Sequence, residues 1–334
     1  MWAKKYRDTW LNVIDEPSEF SYISKCIVDF ETGLVFKDGK ILWQCANENI
    51  IWHKRWVSTD SRWADRLTRL DVLKERMTEI QDNFYKKLSE TKEFIEIKSG
   101  TTLHLLHPFN RYVFGHMYDT LQKLEIVEKN KLAFNSVLLP GTSGIIDFDI
   151  HLKAFGLDKK ELIRSNHGLV KVNYLIFIQP VGHPTSFTPE SYEYVRSKYQ
   201  NYYGISSDTN PSKKIFLTRK RGNFRRYLLN DDEIYKNLSK EGILYFDGSE
   251  KFDEIYHAFS NASHIAGVHG SLFTNNIFGN ASTHYREYCP EGREVHTFHH
   301  QYKLCKDYEH ILVKGDEENN IAIDLHDLMN FYNS

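Results

Sequence analysis

Between Trp63 and Leu88, apolar residues recur at spacings of three and four: Trp63, Leu67, Leu70, Leu73, Met77, Ile80, Phe84 and Leu88, with charged residues between them. That period buries one face of a long helix near 61–90, with Thr59 or Asp60 placed to cap its start. The stretch before it follows a different rule. IVDFE and GLVFK lead into Asp38-Gly39 and KILWQCA follows, which is hairpin chemistry and predicts a β-rich segment over 20–57. After Gly100, TTLHLLHPF reads as a strand, RYVFGHMYDTLQKL as a helix and FNSVLLP as a strand. IHLKAFG and DKKELIR read as helical pieces. VNYLIFIQP is too continuously apolar for a one-sided sheet and predicts a buried strand, and PESYEYVRSKYQ a helix opening on proline.

NYYGISSDTNPS, residues 201–212, is polar with Gly and Pro, and is the expected linker. Beyond it the alternation restarts: strands at KIFLT, ILYF, HIAGV, HYREYC and HILV, and helices at DDEIYKNLSKEG, SEKFDEIYHAFSNA, SLFTNNIFG and DLHDLMNFYN. Strands alternating with helices imply parallel strands covered on both faces, a doubly wound pattern. The chain has 334 residues, enough for two domains at roughly 150 residues each. The expected division is an N-terminal α/β domain over 1–200 and a C-terminal α/β domain over 213–334.

Charge narrows the function classes. The 43 Lys+Arg nearly cancel the 45 Asp+Glu, for a net charge of -2, which argues against a general nucleic-acid coat or a polybasic membrane binder. No apolar run reaches the ~20 residues of a membrane span, and MWAKKYRDTW has no signal-peptide core. Cys26, Cys45, Cys289 and Cys305 form no CxxC pair, so reduced thiols and a cytoplasmic location are expected. Aromatics make up 14% of the chain, which suggests a large aromatic core; rings lining a sugar or base site are the second reading.

Three constellations carry candidate chemistry. In KKIFLTRKRGNFRRYLLNDDEI, Arg219, Lys220, Arg221, Arg225 and Arg226 follow a strand end. Asn230 and Glu233 then form a capping-box arrangement. Open parallel sheets bind ligands beyond the carboxyl ends of their strands, and arginine grips phosphate oxygens with a two-pronged fork. In HIAGVHGSLFTNNIF an apolar strand runs into His269-Gly270-Ser271 and a helix start. There Gly267 and Gly270 allow close backbone approach, and Ser271 can cap a helix end that favours an anion. In NRYVFGHMYDTLQKL, His116 and Asp119 lie three apart on one helical face, as a general base and its orienting partner would. Two further patterns, Asp147-x-Asp149 and His296-x-x-His299-His300, have metal-ligand spacing without the partners that would make them specific.

The strand followed by Arg219, Arg226, Asn230 and Glu233, and the later strand into His269-Gly270-Ser271-x2-Thr274-Asn275-x2-Phe278, together resemble the family-61 glycosyltransferases. Upstream, YVFGHMYDTLQKL is similar to that family's His-and-acid helix, although two residues separate His116 from Asp119 where the family has three. The resemblance covers roughly residues 100–290. It implies a GT-B-like fold, two Rossmann-like domains with a cleft between them. It also implies an inverting glycosyltransferase moving a sugar from a nucleotide-diphosphate sugar, a UDP-sugar first among donors, to a glycan or glycoconjugate hydroxyl. Arg219, Arg226, Asn230, His269, Gly270, Ser271, Thr274 and Asn275 would hold the donor, and Asp119 or His116 would be the base. No cofactor is required on this reading, and a divalent metal is not expected. Nucleic acid is not a partner, and membrane contact would be peripheral at most. The rival readings are a metal-dependent transferase using Asp147 and Asp149, a non-catalytic nucleotide-sugar or glycan-binding protein, and an RNA-binding module using RKRGNFRRY.

Overall fold

The computed structural model describes residues 13–14, 19–42, 45, 70–106, 120–141, 148–165, 167–179, 189–205, 210–219, 227–291 and 307–334. The chain divides into two compact units, Met1–Thr185 and Ser186–Ser334.

The N-terminal unit carries a nine-stranded mixed sheet. In chain order its elements are β1 (Val13–Ile14), β2 (Phe20–Asp29), β3 (Val35–Lys37), β4 (Lys40–Leu42), helix α1 (Leu70–Glu90), β5 (Ile95–Ile97) and β6 (Thr102–His104). Helix α2 (Lys123–Lys129), β7 (Ser136–Pro140), helix α3 (Phe148–Ala154), β8 (Glu161–Ser165) and β9 (Leu169–Ile178) follow. Strand order is β1-β4-β3-β2-β9-β6-β7-β8, with β5 also on β9. The hairpin forms as the sequence reads: β3 pairs antiparallel with β4, and Asp38 (φ 50) and Gly39 (φ 77) both take left-handed backbone, as the tight primed turn requires. Ile80 and Phe84 of α1 pack with Val28, Val35, Ile41, Val172 and Phe177 in one core cluster.

Two expectations change here. The unit is not doubly wound throughout, because β2 pairs antiparallel with β9 from Phe20↔Ile178 to Asp29↔Leu169. Parallel pairing is confined to β5 to β9 and to the short contact of β1 with β4. DKKELIR is not helical either. Gly156 (φ 67) follows α3, and Glu161–Ser165 joins the open edge of β7 as a parallel strand. An edge strand keeps a partly solvated face, so it tolerates charges that otherwise read as a helix surface.

The C-terminal unit opens with helix α4 (Pro189–Tyr203), followed by β10 (Lys213–Leu217), α5 (Asp231–Lys240), β11 (Leu244–Phe246), α6 (Phe252–Ser260) and β12 (Ala262–Val268). A 3-10 helix (Ser271–Phe278), β13 (His284–Pro290), β14 (Asp307–Val313) and α7 (Leu325–Tyr332) complete it. The boundary lies ahead of α4 rather than at 201–212, and residues 201–203 are its last turn. The cause is apolar: Tyr199 packs on Tyr256 and Phe278, and the Tyr192 hydroxyl donates to the Asn276 carbonyl at 2.7 Å. This aromatic layer covers one sheet face. Phe216, Ala266, Val268 and Tyr288 face the other way, into a cluster with Ile234, Leu238, Leu328 and Phe331. All five strands are parallel, in the order β11-β10-β12-β13-β14. Counted from β10 this is 2-1-3-4-5, so strand order reverses between β10 and β12, where doubly wound sheets bind ligands.

Two histidines of the N-terminal unit give it an acid-sensitive core. His104 is fully enclosed, and its Nε2–H donates to the Gly33 carbonyl at 3.0 Å. Burial, aided by the Lys123 ammonium, drives its pKa down to about 3; burial does the same to His151, also to about 3. Both stay neutral in the fold while the unfolded chain takes up protons near pH 6.5. This contribution is therefore complete above about pH 6.5 and is lost as pH falls towards 3. At pH 5 each histidine is expected to cost up to about 2 kcal/mol. Urea unfolding at pH 7 and pH 5 checks this, and His104→Gln, which keeps a donor for Gly33, should show the smaller pH dependence.

Candidate active site

The apolar run of β10 ends at Leu217, and the chain then presents Thr218 and Arg219. Thr218 is anchored twice: its N–H donates to the Phe246 carbonyl at 2.8 Å and its hydroxyl to Asp231 Oδ1 at 2.5 Å. Tyr245 donates to the same carboxylate oxygen. Burial and this contact together raise the Tyr245 hydroxyl far above its usual range, so it stays a donor. The first turn of α5 is thus tied to the carboxyl end of β10, which fixes where Arg219 leaves the sheet.

On the neighbouring strand β12, Gly267 lies opposite Leu217. A Cβ there would sit 2.4 Å from the Leu217 carbonyl oxygen and 2.5 Å from its Cβ, so only glycine permits this spacing. Three residues on, a Cβ on Gly270 would lie 2.6 Å from Arg219 Nε and 2.8 Å from Nη2. The Arg219 guanidinium therefore rests on the bare backbone of Gly270. Gly270 is the N-cap of the 3-10 helix, and its carbonyl accepts the Phe273 N–H at 3.0 Å. The N–H groups of Ser271 and Leu272 precede the first bond of that ladder and form its electropositive end.

His269, buried between these glycines, directs Nδ1 to Glu287 Oε1 of β13 at 2.5 Å. Tyr308 of β14 donates to the other carboxylate oxygen, Oε2, at 2.5 Å. Burial alone would raise the Glu287 pKa. The charge and hydrogen bond of His269, the Tyr308 hydrogen bond and the charge of His310 overcome that and hold it below the ordinary carboxylate value.

The structure thus gathers Arg219, His269, Gly270 and Ser271 at the switch point. Thr274 and Asn275 lie beneath them, 0% and 4% exposed, with Asn275 Nδ2 donating to the Leu272 carbonyl at 3.0 Å. Asn230 is engaged elsewhere. Its Nδ2 donates to the Ile323 carbonyl at 2.9 Å and its Oδ1 accepts the Ile323 N–H at 3.1 Å. The expected capping box does not form, because both ends of the amide hold that backbone; Nδ2 only reaches the Glu233 carboxylate at 3.3 Å. Ser271 is the first residue of its helix rather than the cap, and the helix is the tighter 3-10 type. Asp149, in the first turn of α3, is exposed and paired with Arg164 Nη2 at 2.5 Å.

Lys220, Arg221, Arg225, Arg226, His116, Asp119, Asp147, His296, His299, His300, Thr59, Asp60, Trp63, Leu67 and Cys305 lie outside the described residues. Among the described residues, no group of three His, Cys, Asp or Glu side chains is placed to hold a metal, and no helix is long and apolar enough to cross a membrane. Glu287 and Tyr308 were missed in the sequence. The available signal was a lone carboxylate inside HYREYCP, a strand otherwise fit for burial.

The two glycines separate a stability role from a site role. Gly267→Ala must move backbone, and is expected to lower stability by about 1–3 kcal/mol, the usual cost of overpacking. Gly270→Ala meets only a flexible side chain, so its melting temperature should stay within a few degrees of the parent while Arg219 is displaced. Thermal melts of both variants check the contrast.

The family described as Glycosyltransferase 61 matches residues 114–310, more than half of the chain and inclusive of Arg219, His269 and Glu287. No curated protein matches the sequence. The matched range spans the switch point of the parallel sheet, and the chain belongs to glycosyltransferase family 61 and is a glycosyltransferase.

Proposed function

We propose that the protein transfers a sugar, with inversion, from a nucleotide-diphosphate sugar to a hydroxyl of a glycan or glycoconjugate, with UDP-sugar the first donor to test and no metal required. The observation that carries this is the Arg219 guanidinium lying on Gly270, beside His269 and directly ahead of a helix start, at the point where strand order reverses. Backbone N–H groups and a guanidinium converging there suit a diphosphate. Arg226 joins them as a second cation in this reading, and Thr274 and Asn275 enter as the buried residues that fix the helix start. Asn230 enters as the clamp that holds the β10–α5 connection to the segment before α7. The chain on this reading acts in the cytoplasm.

Inversion is a single in-line displacement. The acceptor oxygen forms a bond to the anomeric carbon as the bond from that carbon to the diphosphate oxygen breaks. The bonding electron pair leaves on the nucleoside diphosphate, and the acceptor proton goes to a base. Positive charge at the departing diphosphate is the catalytic requirement met by Arg219, Arg226 and the helix start. The proposed division of labour is GT-B-like, donor on the C-terminal unit and acceptor on the N-terminal unit. Asp119 is the first choice of base and His116 the second. In the N-terminal unit, parallel strand order reverses between β6 and β9, and the sequence carrying both residues follows β6. The metal-dependent alternative is disfavoured by Asp149, whose carboxylate pairs with Arg164.

A screen of nucleotide sugars by thermal shift tests the reading, since a ligand at 100 times its dissociation constant stabilises by about 2.7 kcal/mol. Turnover should persist in EDTA. Arg219→Ala and Arg226→Ala should each lose at least tenfold in turnover, equivalent to about 1.4 kcal/mol of barrier, with the fold intact. Asp119→Asn should keep donor affinity and lose most of its rate. No stabilisation by any nucleotide sugar would count against the assignment of the donor site.

A further inference from the structure

We infer that Glu287 is a positioning residue of the donor site: through its contact with His269, and held in turn by Tyr308, it keeps that histidine as an imidazolium turned towards the diphosphate. The inference rests on the donor-site reading above and adds the charge state of one of its groups.

The geometry leaves three protonation states for the pair: a neutral acid beside a neutral imidazole, a carboxylate beside an imidazole protonated at Nδ1 alone, or a carboxylate beside an imidazolium. Three observations decide between them. Both Glu287 oxygens are engaged, Oε1 with His269 Nδ1 and Oε2 with the Tyr308 hydroxyl, each at 2.5 Å. The Tyr308 hydroxyl is a donor, and a carboxyl group accepting at both oxygens is favoured in its ionised form. The side chains of His269 and Glu287 are only 7% and 1% exposed, so a lone carboxylate would bear its full desolvation cost, which a contacting cation offsets. Glu287 is held below its usual pKa despite burial, as the ionised pair requires.

Among the described residues, the groups facing the pair come from two other strands. His310 and Tyr308 lie on β14, and Arg219 comes from the end of β10 against Gly270. Arg219 and His310 disfavour a second cation at His269, and Glu287 favours it. Coulomb energy falls with separation, and Glu287 is in direct contact with the ring, so the carboxylate prevails.

Position then gives this charge a use. Across the sheet, Leu217, Gly267, Glu287 and His310 form one row of parallel neighbours, with Leu217 the last residue of β10. Gly267 contributes no side chain to that row, and His269 stands two residues beyond it. A cationic ring there adds to Arg219 at the atoms where charge gathers as the diphosphate departs. The alternative role for Glu287 is purely architectural, a polar tie from β12 through β13 to β14. That role would make no demand on the charge of His269.

The test uses the full chain with isotope-labelled histidine. The His269 ring is assigned by loss of its signal in His269→Gln, and its titration is followed by NMR between pH 5 and pH 9. Affinity for UDP and for GDP is measured by calorimetry over the same range. In the parent, His269 should titrate above the ordinary value of about 6.5, and nucleoside diphosphate affinity should fall as pH rises through that titration. Glu287→Gln should move both events down by at least one pH unit, weakening binding about tenfold at pH 7.5, and Glu287→Asp should restore part of the shift. Tyr308→Phe, which retains the carboxylate, should move both by less in the same direction.

A Glu287→Gln protein that melts like the parent, with His269 titration and affinity profile unmoved, would overturn the inference. Should that variant fail to fold, an unshifted titration in Tyr308→Phe overturns it instead. Binding of neither UDP nor GDP to the parent sinks the donor-site reading itself, a result distinct from an unmoved titration.

Discussion

The close approach of β10 and β12 governs the C-terminal unit. Leu217 occupies the space that a side chain on Gly267 would fill, so two parallel strands meet tightly just where their order reverses. Everything chemically notable follows within a few residues of that contact. Arg219 leaves β10 and lies on Gly270, His269 leaves β12 and meets Glu287, and the 3-10 helix starts at once. A wider spacing would put the guanidinium and the helix start too far apart to serve one anion.

Around that contact the unit spends its polar groups on holding strand ends in place. Asp231 receives both Thr218 and Tyr245, Asn230 grips the backbone of Ile323, and Glu287 links β12 to β14. Each of these carboxylates and amides takes part in two hydrogen bonds, which is the condition for placing polar groups next to a packed sheet. The apolar work is done elsewhere, by the aromatic layer of Tyr199, Tyr256 and Phe278 on one face and the Phe216 and Tyr288 cluster on the other. That separation lets the site present charge without weakening the core. In the C-terminal unit these rings are structural.

The N-terminal unit reaches its sheet by a different route. Nine residues of β2 pair antiparallel with nine of β9, and the parallel strands β6, β7 and β8 are added to the far side of β9. Its buried charges and imidazoles differ from those of the other unit, with His104 beside Lys123 and both enclosed. Such a core favours neutral pH, whereas the Glu287–His269 pair depends on ionisation.

Much of this was legible in the chain. The Asp38-Gly39 turn, the continuous apolar run at β9, the proline opening α4 and the strand–helix alternation after Lys213 are local signals, set by backbone conformation and hydrophobic period. The basic residues after β10 and the His-Gly-Ser after β12 could likewise be read as strand ends with anion chemistry. What local signals cannot carry is partnership between distant strands. DKKELIR became a strand because β7 had an open edge to fill. Residues 201–203 joined a helix because Tyr199 found Tyr256 and Phe278. The Asn230 amide turned away from its own helix because Ile323, 93 residues away, offered both a donor and an acceptor. Glu287 looked like an isolated charge until the parallel register of β12, β13 and β14 set His269 and Tyr308 at its two oxygens. Local composition and hydrophobic period thus set which residues could form strands, turns and anion-binding ends. Which of them share hydrogen bonds was settled by the assembled sheet, since that depends on strand order and burial summed over all of its strands.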